Sequence, residues 1–351
     1  MTEQPVFILG TAAATPLGGT VRDNCDALLA GRTAFAAPRH FDAGGRRLGV
    51  DPELDGGNGS RAERLLAKLR AAIDFDIPSG TRLFVATTVG AIDLLERGAE
   101  LDTAHEFLLA AERIFGIPDA TLVSAACASG QTAAALARSE VRRGACRHAL
   151  VVGGDVTSEF VTTGFAALGA LSRTVCRPYD AERDGLTIGE SAAALLLGAA
   201  DTGIGRITGA AENGDAAHIT SPDLSGAMLA AACREALAGT PPDAVIGHGT
   251  GTVYNDQAEV AALAALFPAA RPPLFSLKGN YGHTLGATGV LQLALGLELA
   301  RRRMLPPQAG LRSPMPGANV ATEPRRIGGA RILSLNVGFG GINSAVALEA
   351  L

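Results

Sequence analysis

The sequence contains no tryptophan, three tyrosines and 12 phenylalanines, so aromatic side chains make up 4% of its 351 residues. Glycine is abundant by contrast, with 44 residues, and 47% of the chain is hydrophobic. A core of many small side chains favours closely packed layers joined by sharp turns. The composition excludes a disordered chain, because disorder needs low hydrophobicity and high charge.

Three further features are missing, and each argues against a class of protein. No apolar run reaches the ~18 residues of a membrane-spanning helix, and no basic segment followed by an apolar core resembles a signal peptide. No G-x-G-x-x-G motif joins an early strand to a helix, so no dinucleotide site is predicted. The net charge of −5 argues against a general nucleic-acid-binding protein. We therefore expect neither a membrane nor a nucleic acid as partner.

The cysteines are odd in number, widely separated and without C-x-x-C spacing: Cys25, Cys127, Cys146, Cys176 and Cys233. This pattern argues against a disulfide framework and against a zinc cluster. Free thiols are typical of a reducing compartment, so we expect a cytoplasmic protein. We predict no cofactor and no metal ion.

The chain is longer than a typical single domain, which favours two domains or one large duplicated domain. Short apolar runs alternate with amphipathic runs, and this pattern predicts an α/β fold with parallel-rich sheets covered by helices. The order of the predicted elements before about residue 204 resembles the order after it. We therefore predict two duplicated halves, 1–204 and 205–351, which share an interface because no polar linker separates them.

Cys127 lies at a predicted corner between a buried strand and a helix. An apolar run over residues 121–123 precedes the corner, and an alanine-rich run over residues 131–142 follows it. The start of a helix presents free N–H groups and a partial positive charge, which favour the thiolate. The sequence thus predicts a nucleophile, with a small buried apolar residue as the alternative.

Three other predicted strands end in stretches rich in glycine, over residues 248–252, 278–283 and 338–341. Functional groups of α/β sheets gather at the carboxyl ends of strands. Glycines beside His248 and His283 leave room for a substrate, and neutral imidazoles can donate N–H bonds to an enolate or oxyanion. One cysteine and two histidines could also form a metal site, but their wide separation along the chain argues against it.

Lys278, Glu259 and Phe339 accompany these stretches. Lys278 could hold the tautomer of a histidine or orient a carboxylate. Glu259 follows His248 inside the next predicted helix, so only folding could bring it to the site. The turn that holds Phe339 could present backbone N–H groups to an oxyanion, with the phenyl ring as an apolar wall. A plain turn between two strands is the alternative.

Two stretches in the first half have less specific signals. Residues 32–60 are rich in Gly, Asp, Pro and Arg and are predicted to form a loop-rich surface. Residues 61–73 are predicted to form a helix with a basic face. Two interpretations stay open for this face: a solvated surface, or a docking patch for an acidic partner.

The motifs described so far occur in one order along nearly the whole chain: Ala126-Cys127-Ala128-Ser129-Gly130, His248-Gly249-Thr250-Gly251-Thr252 with Glu259, Ser276-x-Lys278 with Gly282-His283, and Gly338-Phe339-Gly340-Gly341. By these motifs the sequence resembles the β-ketoacyl-acyl-carrier-protein synthases, elongating ketosynthases of the Cys-His-His type. The resemblance implies the thiolase-type fold, a duplicated α-β-α-β-α arrangement of layers.

The resemblance also implies a decarboxylative Claisen condensation. Cys127 would take an acyl chain from a carrier thioester. His248 and His283 would assist the decarboxylation of a malonyl thioester and stabilise the enolate that attacks the acyl group. The N–H groups of Cys127 and Phe339 would form the oxyanion hole.

The remaining site residues have supporting roles in the resemblance. Lys278 and Glu259 would support the histidines. Thr250 and Thr252 would bind the pantetheine arm. Phe339 would be a gate between the acyl pocket and the malonyl site.

The expected partner is an acyl carrier protein that delivers acyl and malonyl thioesters, and the expected assembly is a homodimer or a ketosynthase-like heterodimer. The chain is shorter than is usual for the family, mainly within residues 38–82 and just before Thr103. This favours a specialised enzyme of fatty-acid-like or polyketide and polyene biosynthesis. The alternatives are a chain-length-factor-like partner subunit and a Cys-dependent acyltransferase that does not decarboxylate.

Overall fold

The protein is built around a mixed sheet of ten strands. The structure is a computed structural model and describes residues 4–57 and 59–351. Numbered along the chain, the strands are β1 (Val6–Ala14), β2 (Phe35–Ala36), β3 (Leu48–Gly49), β4 (Arg82–Ala86), β5 (Thr121–Val123), β6 (His148–Asp155), β7 (Ser191–Ala199), β8 (Gly205–Gly214), β9 (Ala244–Ile246), β10 (Leu274–Phe275), β11 (Met304–Leu305), β12 (Arg325–Arg326), β13 (Arg331–Gly338) and β14 (Ile342–Ala350).

The α-helices are α1 (Val21–Leu29), α2 (Arg61–Ala72), α3 (Ile92–Glu96), α4 (Thr103–Phe115), α5 (Ser129–Arg142), α6 (Glu159–Ala167), α7 (Ala227–Leu237), α8 (Val253–Leu266), α9 (Lys278–Tyr281) and α10 (Thr288–Arg302). Two short 3-10 helices cover Pro52–Leu54 and Leu285–Ala287.

The order of strands across the large sheet is β10-β9-β13-β14-β8-β1-β7-β6-β4-β5. Its two halves meet at one residue pair, Ile8 on β1 and Gly205 on β8. Outward from this pair, each half has two antiparallel pairings and then two parallel pairings. The same pattern on both sides confirms the predicted duplicated α/β fold. The division into domains at residue 204 stays a prediction.

The helices form three layers around the two halves of the sheet. Helices α5 and α10 contact strands of both halves and lie between them, while α2 and α4 cover the first half and α7 and α8 cover the second. Of the 15 residues of α10, 12 are buried, as expected for a helix in the interior. The layers therefore follow the predicted α-β-α-β-α order.

Helices α5 and α10 approach each other through glycines near their N-terminal ends. A Cβ on Gly130 would lie 2.6 Å from the backbone nitrogen of Val290, and a Cβ on Gly289 would lie 2.4 Å from that of Gln131. Larger residues would push the two backbones apart. This close crossing brings together the segments that precede α5 and α10, which carry Cys127 and His283.

The prediction of a surface loop over residues 32–60 is wrong for part of this stretch. Leu48, Val50 and Leu54 are buried in the core. Gly49 donates its N–H to the carbonyl of Ile188 at 2.9 Å, and a Cβ on Gly49 would lie 1.7 Å from a backbone oxygen of α9. The regular elements of this stretch are two or three residues long, too short to show a hydrophobic period.

The basic helix predicted over residues 61–73 forms as α2, but neither interpretation of its basic face holds for Arg61 and Lys68. Arg61 is 2% exposed and donates to Glu190 and Asp55. Lys68 lies 2.5 Å from a carboxylate oxygen of Asp51. These cations form ion pairs inside the protein because the preceding loop folds over them.

Among the described helices, none combines the length and apolar composition that crossing a bilayer would need.

Candidate active site

The Cys127 turn, residues 124–128, follows β5 and leads into α5. Ala126 has φ of +49°, a backbone conformation that L-residues rarely adopt. Its carbonyl accepts the hydroxyl of Thr88 at 3.0 Å, and Ser129 Oγ accepts the N–H of Ala125 at 2.9 Å. The turn is thus fixed from two sides, with Cys127 6% exposed.

His283 Nε2 lies 3.0 Å from Cys127 Sγ. The other ring nitrogen, Nδ1, accepts the backbone N–H of Leu285 at 3.2 Å. An acceptor nitrogen carries no proton, so the neutral imidazole holds its proton on Nε2. His283 therefore presents an N–H donor to the sulfur and to the space above it.

His248 presents a second donor of the same kind. Its ring centre lies 5.2 Å from that of His283, with the ring planes at 89°. Lys278 Nζ lies 3.2 Å from His248 Nδ1 and 2.5 Å from the His248 carbonyl oxygen. A lysine ammonium is a donor only, so neutral His248 carries its proton on Nε2. Of the two roles predicted for Lys278, these contacts match the holding of a tautomer, and the histidine concerned is His248.

Glu259 hydrogen-bonds the backbone of the histidine loop, residues 248–252, which carries His248. Its carboxylate accepts the N–H groups of His248 and Gly249, both at 2.6 Å. It also accepts Asn255 Nδ2 at 2.9 Å and the hydroxyl of Tyr179 at 3.2 Å. The contacts place its support at His248, and none of them involves His283.

Burial controls the electrostatics of the site. It raises the pKa of Cys127 to about 11, although Lys278 opposes this shift. Desolvation of the sulfur thus opposes the stabilisation of the thiolate that is expected from the helix N-terminus. Burial and Lys278 hold the pKa of His248 and that of His283 well below the usual value. The resting site holds a neutral thiol and two neutral imidazoles.

A cavity of about 290 Å³ opens above the thiol. The predicted site residues that line it are Cys127, His248, His283, Thr250, Thr252 and Phe339. The hydroxyls of the two threonines are 2.9 Å apart, and the ring of Phe339 packs against that of Phe165 with centres 5.6 Å apart. Glu259 and Lys278 lie behind this lining, against the His248 loop.

Backbone N–H groups complete the site. Those of Cys127 and Phe339 lower the pKa of the Cys127 thiol. A nucleophilic sulfur among two backbone donors and two imidazole N–H groups suits a covalent acyl intermediate and the stabilisation of negative charge next to it. Within the described residues, no group of three or more His, Cys, Asp or Glu side chains could hold a metal ion.

Comparison with protein families agrees with this chemistry. Residues 119–202 match the N-terminal domain of beta-ketoacyl synthases, and residues 204–312 match the C-terminal domain. A protein of Streptomyces cyaneus, named as a polyketide beta-ketoacyl synthase, is 30% identical over 416 aligned positions, covering 98% of this chain and 97% of that protein. The chain belongs to the β-ketoacyl synthase family. Enzymes of this family transfer and condense acyl groups, which confirms the predicted class of activity.

Other β-ketoacyl synthases are similar over part or all of the chain. A 3-oxoacyl-acyl-carrier-protein synthase 2 of Mycobacterium tuberculosis is 33% identical over 63% of this chain and 59% of its own. A solved ketosynthase of Xenorhabdus doucetiae, in complex with its chain length factor, has a TM-score of 0.85 at 26% identity, with 99% and 98% coverage. A beta-ketoacyl synthase of Burkholderia phymatum has a TM-score of 0.81 at 26% identity, with 99% and 100% coverage.

Two residues of this β-ketoacyl synthase escaped the sequence analysis. Tyr179, at φ of +61°, is fully buried beneath the histidine loop, and no local pattern indicates that position. Asp155 ends β6 and is also fully buried. The rule that functional groups gather at strand ends, applied to β6, would have found Asp155.

Proposed function

We propose that Cys127 holds an acyl chain as a thioester while the enzyme makes an enolate beside it from a malonyl thioester. The observation that carries this proposal is the 3.0 Å contact between Cys127 Sγ and His283 Nε2. A thiol used only for acyl transfer needs a leaving thioester and an oxyanion hole. Two imidazoles, both protonated on the nitrogen that faces the cavity, suit an enolate oxygen as well.

In the first step the sulfur of Cys127 attacks the carbonyl carbon of an acyl-carrier thioester. The new carbon–sulfur bond forms, the carrier's carbon–sulfur bond breaks, and the proton of the thiol leaves with the carrier sulfur. The N–H groups of Cys127 and Phe339, which lower the pKa of this thiol, would bind the oxyanion of the tetrahedral intermediate.

In the second step His248 and His283 donate from Nε2 to the thioester oxygen of a malonyl unit. The bond to the carboxylate breaks, carbon dioxide leaves, and the electron pair forms the enolate. The enolate carbon then attacks the acyl group on Cys127, the bond between this acyl carbon and the sulfur breaks, and the sulfur leaves as a thiolate that takes up a proton from water. Lys278 assists by keeping His248 in the donor tautomer, and Glu259 by fixing the backbone of the same loop.

The cavity lining supports roles for three further residues. Thr250 and Thr252 place two hydroxyls on the wall of the cavity, where they would hydrogen-bond the amides of a pantetheine arm. Phe339 is 37% exposed and packs at a tilt against Phe165 in the cavity lining, so its ring would gate access to the acyl chain. In this scheme residues 1–204 supply the nucleophile and residues 205–351 supply both histidines.

The proposed partner is an acyl carrier protein, and the proposed setting is a cytoplasmic homodimer or heterodimer of fatty-acid-like or polyketide biosynthesis. One candidate competes with the condensing role. This candidate is a non-condensing partner subunit, suggested by the likeness to a ketosynthase that was solved in complex with its chain length factor. The assembled set of Cys127, His248, Lys278 and His283 favours the condensing subunit, because a pocket-shaping partner has no use for a nucleophile.

The test is to incubate the protein with acyl- and malonyl-carrier protein and to follow three signals. These are the mass of the peptide that contains Cys127, the release of carbon dioxide and the formation of the 3-ketoacyl product. We expect all three to appear. Acylation without a new carbon–carbon bond would contradict condensation and favour a simple acyltransferase. Absence of acylation would favour the partner subunit.

A further inference from the structure

Asp155 is a fully buried carboxylate that the reaction scheme leaves unused. It accepts the hydroxyl of Thr87 at 2.6 Å and the N–H groups of Thr88 and Val89 at 3.0 Å. It also accepts the N–H of Gly286 at 2.7 Å. All these donors are neutral, so the carboxylate makes four directional links instead of an ion pair.

The hydrogen bonds of Asp155 lead to two turns. One is the Cys127 turn, and the other is the His283 turn, residues 283–286. On one side, Thr88 donates its N–H to Asp155 and its hydroxyl to the carbonyl of Ala126, the residue before Cys127. On the other side, Gly286 follows Leu285 directly, and the N–H of Leu285 fixes His283 Nδ1. Asp155 is therefore linked to the Cys127 turn through Thr88 and to the His283 turn through Gly286.

The backbones at Thr88 and Gly286 are in close contact. A Cβ on Gly286 would lie 2.7 Å from the backbone nitrogen of Thr88 and 2.9 Å from Asp155 Oδ2. The two backbones thus meet with no side chain between them. Asp155 accepts an N–H from each of these backbones, so a change at Asp155 would remove the hydrogen bonds that join them.

The charge of Asp155 works against the thiolate. Burial raises the pKa of Asp155 to about 6, so the carboxylate is ionised at pH 8. As an anion it raises the pKa of Cys127, which Lys278 lowers. Cys127 is thus a titratable group close enough to respond to the charge of Asp155. The charge of Asp155 therefore does not help to form the Cys127 thiolate, and its role lies elsewhere.

We infer that Asp155 is a positioning residue of the condensation step: it holds the Cys127 turn and the His283 turn at the separation that places Nε2 beside Sγ. This inference rests on the proposed function, because it assigns Asp155 to the step in which the imidazole and the acyl-cysteine act together.

The variant Asp155→Asn removes the charge at nearly constant shape and tests the inference with two readouts. Condensation should fall about 10- to 100-fold, as for a small misplacement of reacting groups. Alkylation of Cys127 by iodoacetamide should become faster at a given pH, with its pH curve shifted down by roughly half to one unit, because a nearby anion is gone. A purely structural role would lower both rates together.

The matched control is Asp180→Asn. Asp180 is also fully buried and accepts three backbone N–H groups, from Glu182, Arg312 and Ser313. We expect its alkylation curve to coincide with that of the wild type. If Asp155→Asn does not fold, Thr87→Val takes its place. It removes one donor and keeps the charge, so condensation should fall by about 3- to 10-fold with the alkylation curve unshifted.

Two results would overturn the inference: condensation at the wild-type rate in Asp155→Asn, or an unshifted alkylation curve in that variant. The proposed function fails in a different way, since wild-type protein would then not condense at all. In that case the alkylation curve of Asp155→Asn still tests whether the charge of Asp155 lies beside Cys127. An unshifted curve would contradict that placement.

Discussion

His283 Nε2 and Cys127 Sγ are 3.0 Å apart, although 156 positions separate the two residues in the sequence. The contact joins the two halves of the duplicated fold, since Cys127 precedes α5 and His283 precedes α10. It depends on the glycine contact between these helices, where Gly130 meets the backbone of Val290.

Cys127→Ala should abolish acylation, because the variant lacks the sulfur that forms the thioester. Intact-protein mass spectrometry after incubation with acyl-carrier protein measures the result. Cys146→Ala is the control, since Cys146 is half-buried and lies outside the cavity lining. An acyl adduct of normal yield on Cys127→Ala would place the nucleophile elsewhere.

His283→Ala should slow condensation by roughly 100-fold or more, the cost of losing one donor to a developing negative charge. Acyl transfer to Cys127 should remain largely intact, because the backbone N–H groups of Cys127 and Phe339 still bind the oxyanion. Parallel assays of acylation and of 3-ketoacyl product separate the two steps. If acyl transfer fell as strongly as condensation, the role proposed for His283 would be wrong.

The alkylation rate of Cys127 should rise by about tenfold for each unit of pH between neutrality and about pH 10, because the fraction of thiolate grows in that proportion below the pKa. The direction follows from burial, which raises the pKa of this thiol to about 11. Iodoacetamide labelling, quantified at the peptide that contains Cys127, gives the curve. A plateau near neutral pH would mean that the helix N-terminus does stabilise the thiolate.

Tyr179→Phe should lower the rate of condensation by about 3- to 10-fold, the effect of one lost hydrogen bond to a charged group. The phenol of Tyr179 donates to Glu259, which in turn fixes the backbone of His248. Tyr281→Phe is the matched control, because that buried phenol donates to Asn24 instead. We expect it to affect stability without the same loss of condensation. Equal losses in both variants would remove Tyr179 from the support of the site.

Arg61→Met should lower the free energy of unfolding by about 3–5 kcal/mol, because it leaves the carboxylate of Glu190 buried and unpaired. Arg61 is 2% exposed and Glu190 is fully buried. Urea unfolding followed by circular dichroism measures the change. Arg113→Met breaks an exposed pair with Glu63 and should cost less than about 1 kcal/mol. A similar cost in both variants would contradict the importance of burial.

Local patterns in the sequence predict much of the fold. The helix predicted over residues 61–73 forms as α2 (Arg61–Ala72), and the side chain of Ser60 caps its first turn. These signals are strong because capping and hydrophobic period act within a few residues. The buried part of residues 32–60 escaped prediction, because it is held by distant contacts, such as the hydrogen bonds of Gly49 to Ile188 and Glu190.

The candidate site divides in the same way. The sequence by itself determined the chemical groups, because a thiol at a strand-to-helix corner and histidines among glycines are local features. Only the tertiary structure decided which groups meet: Lys278 lies at His248, and Asp155 lies between the Cys127 turn and the His283 turn. The structure also reversed the expected shift in the pKa of Cys127. Burial sets that shift, and burial depends on every layer of the fold.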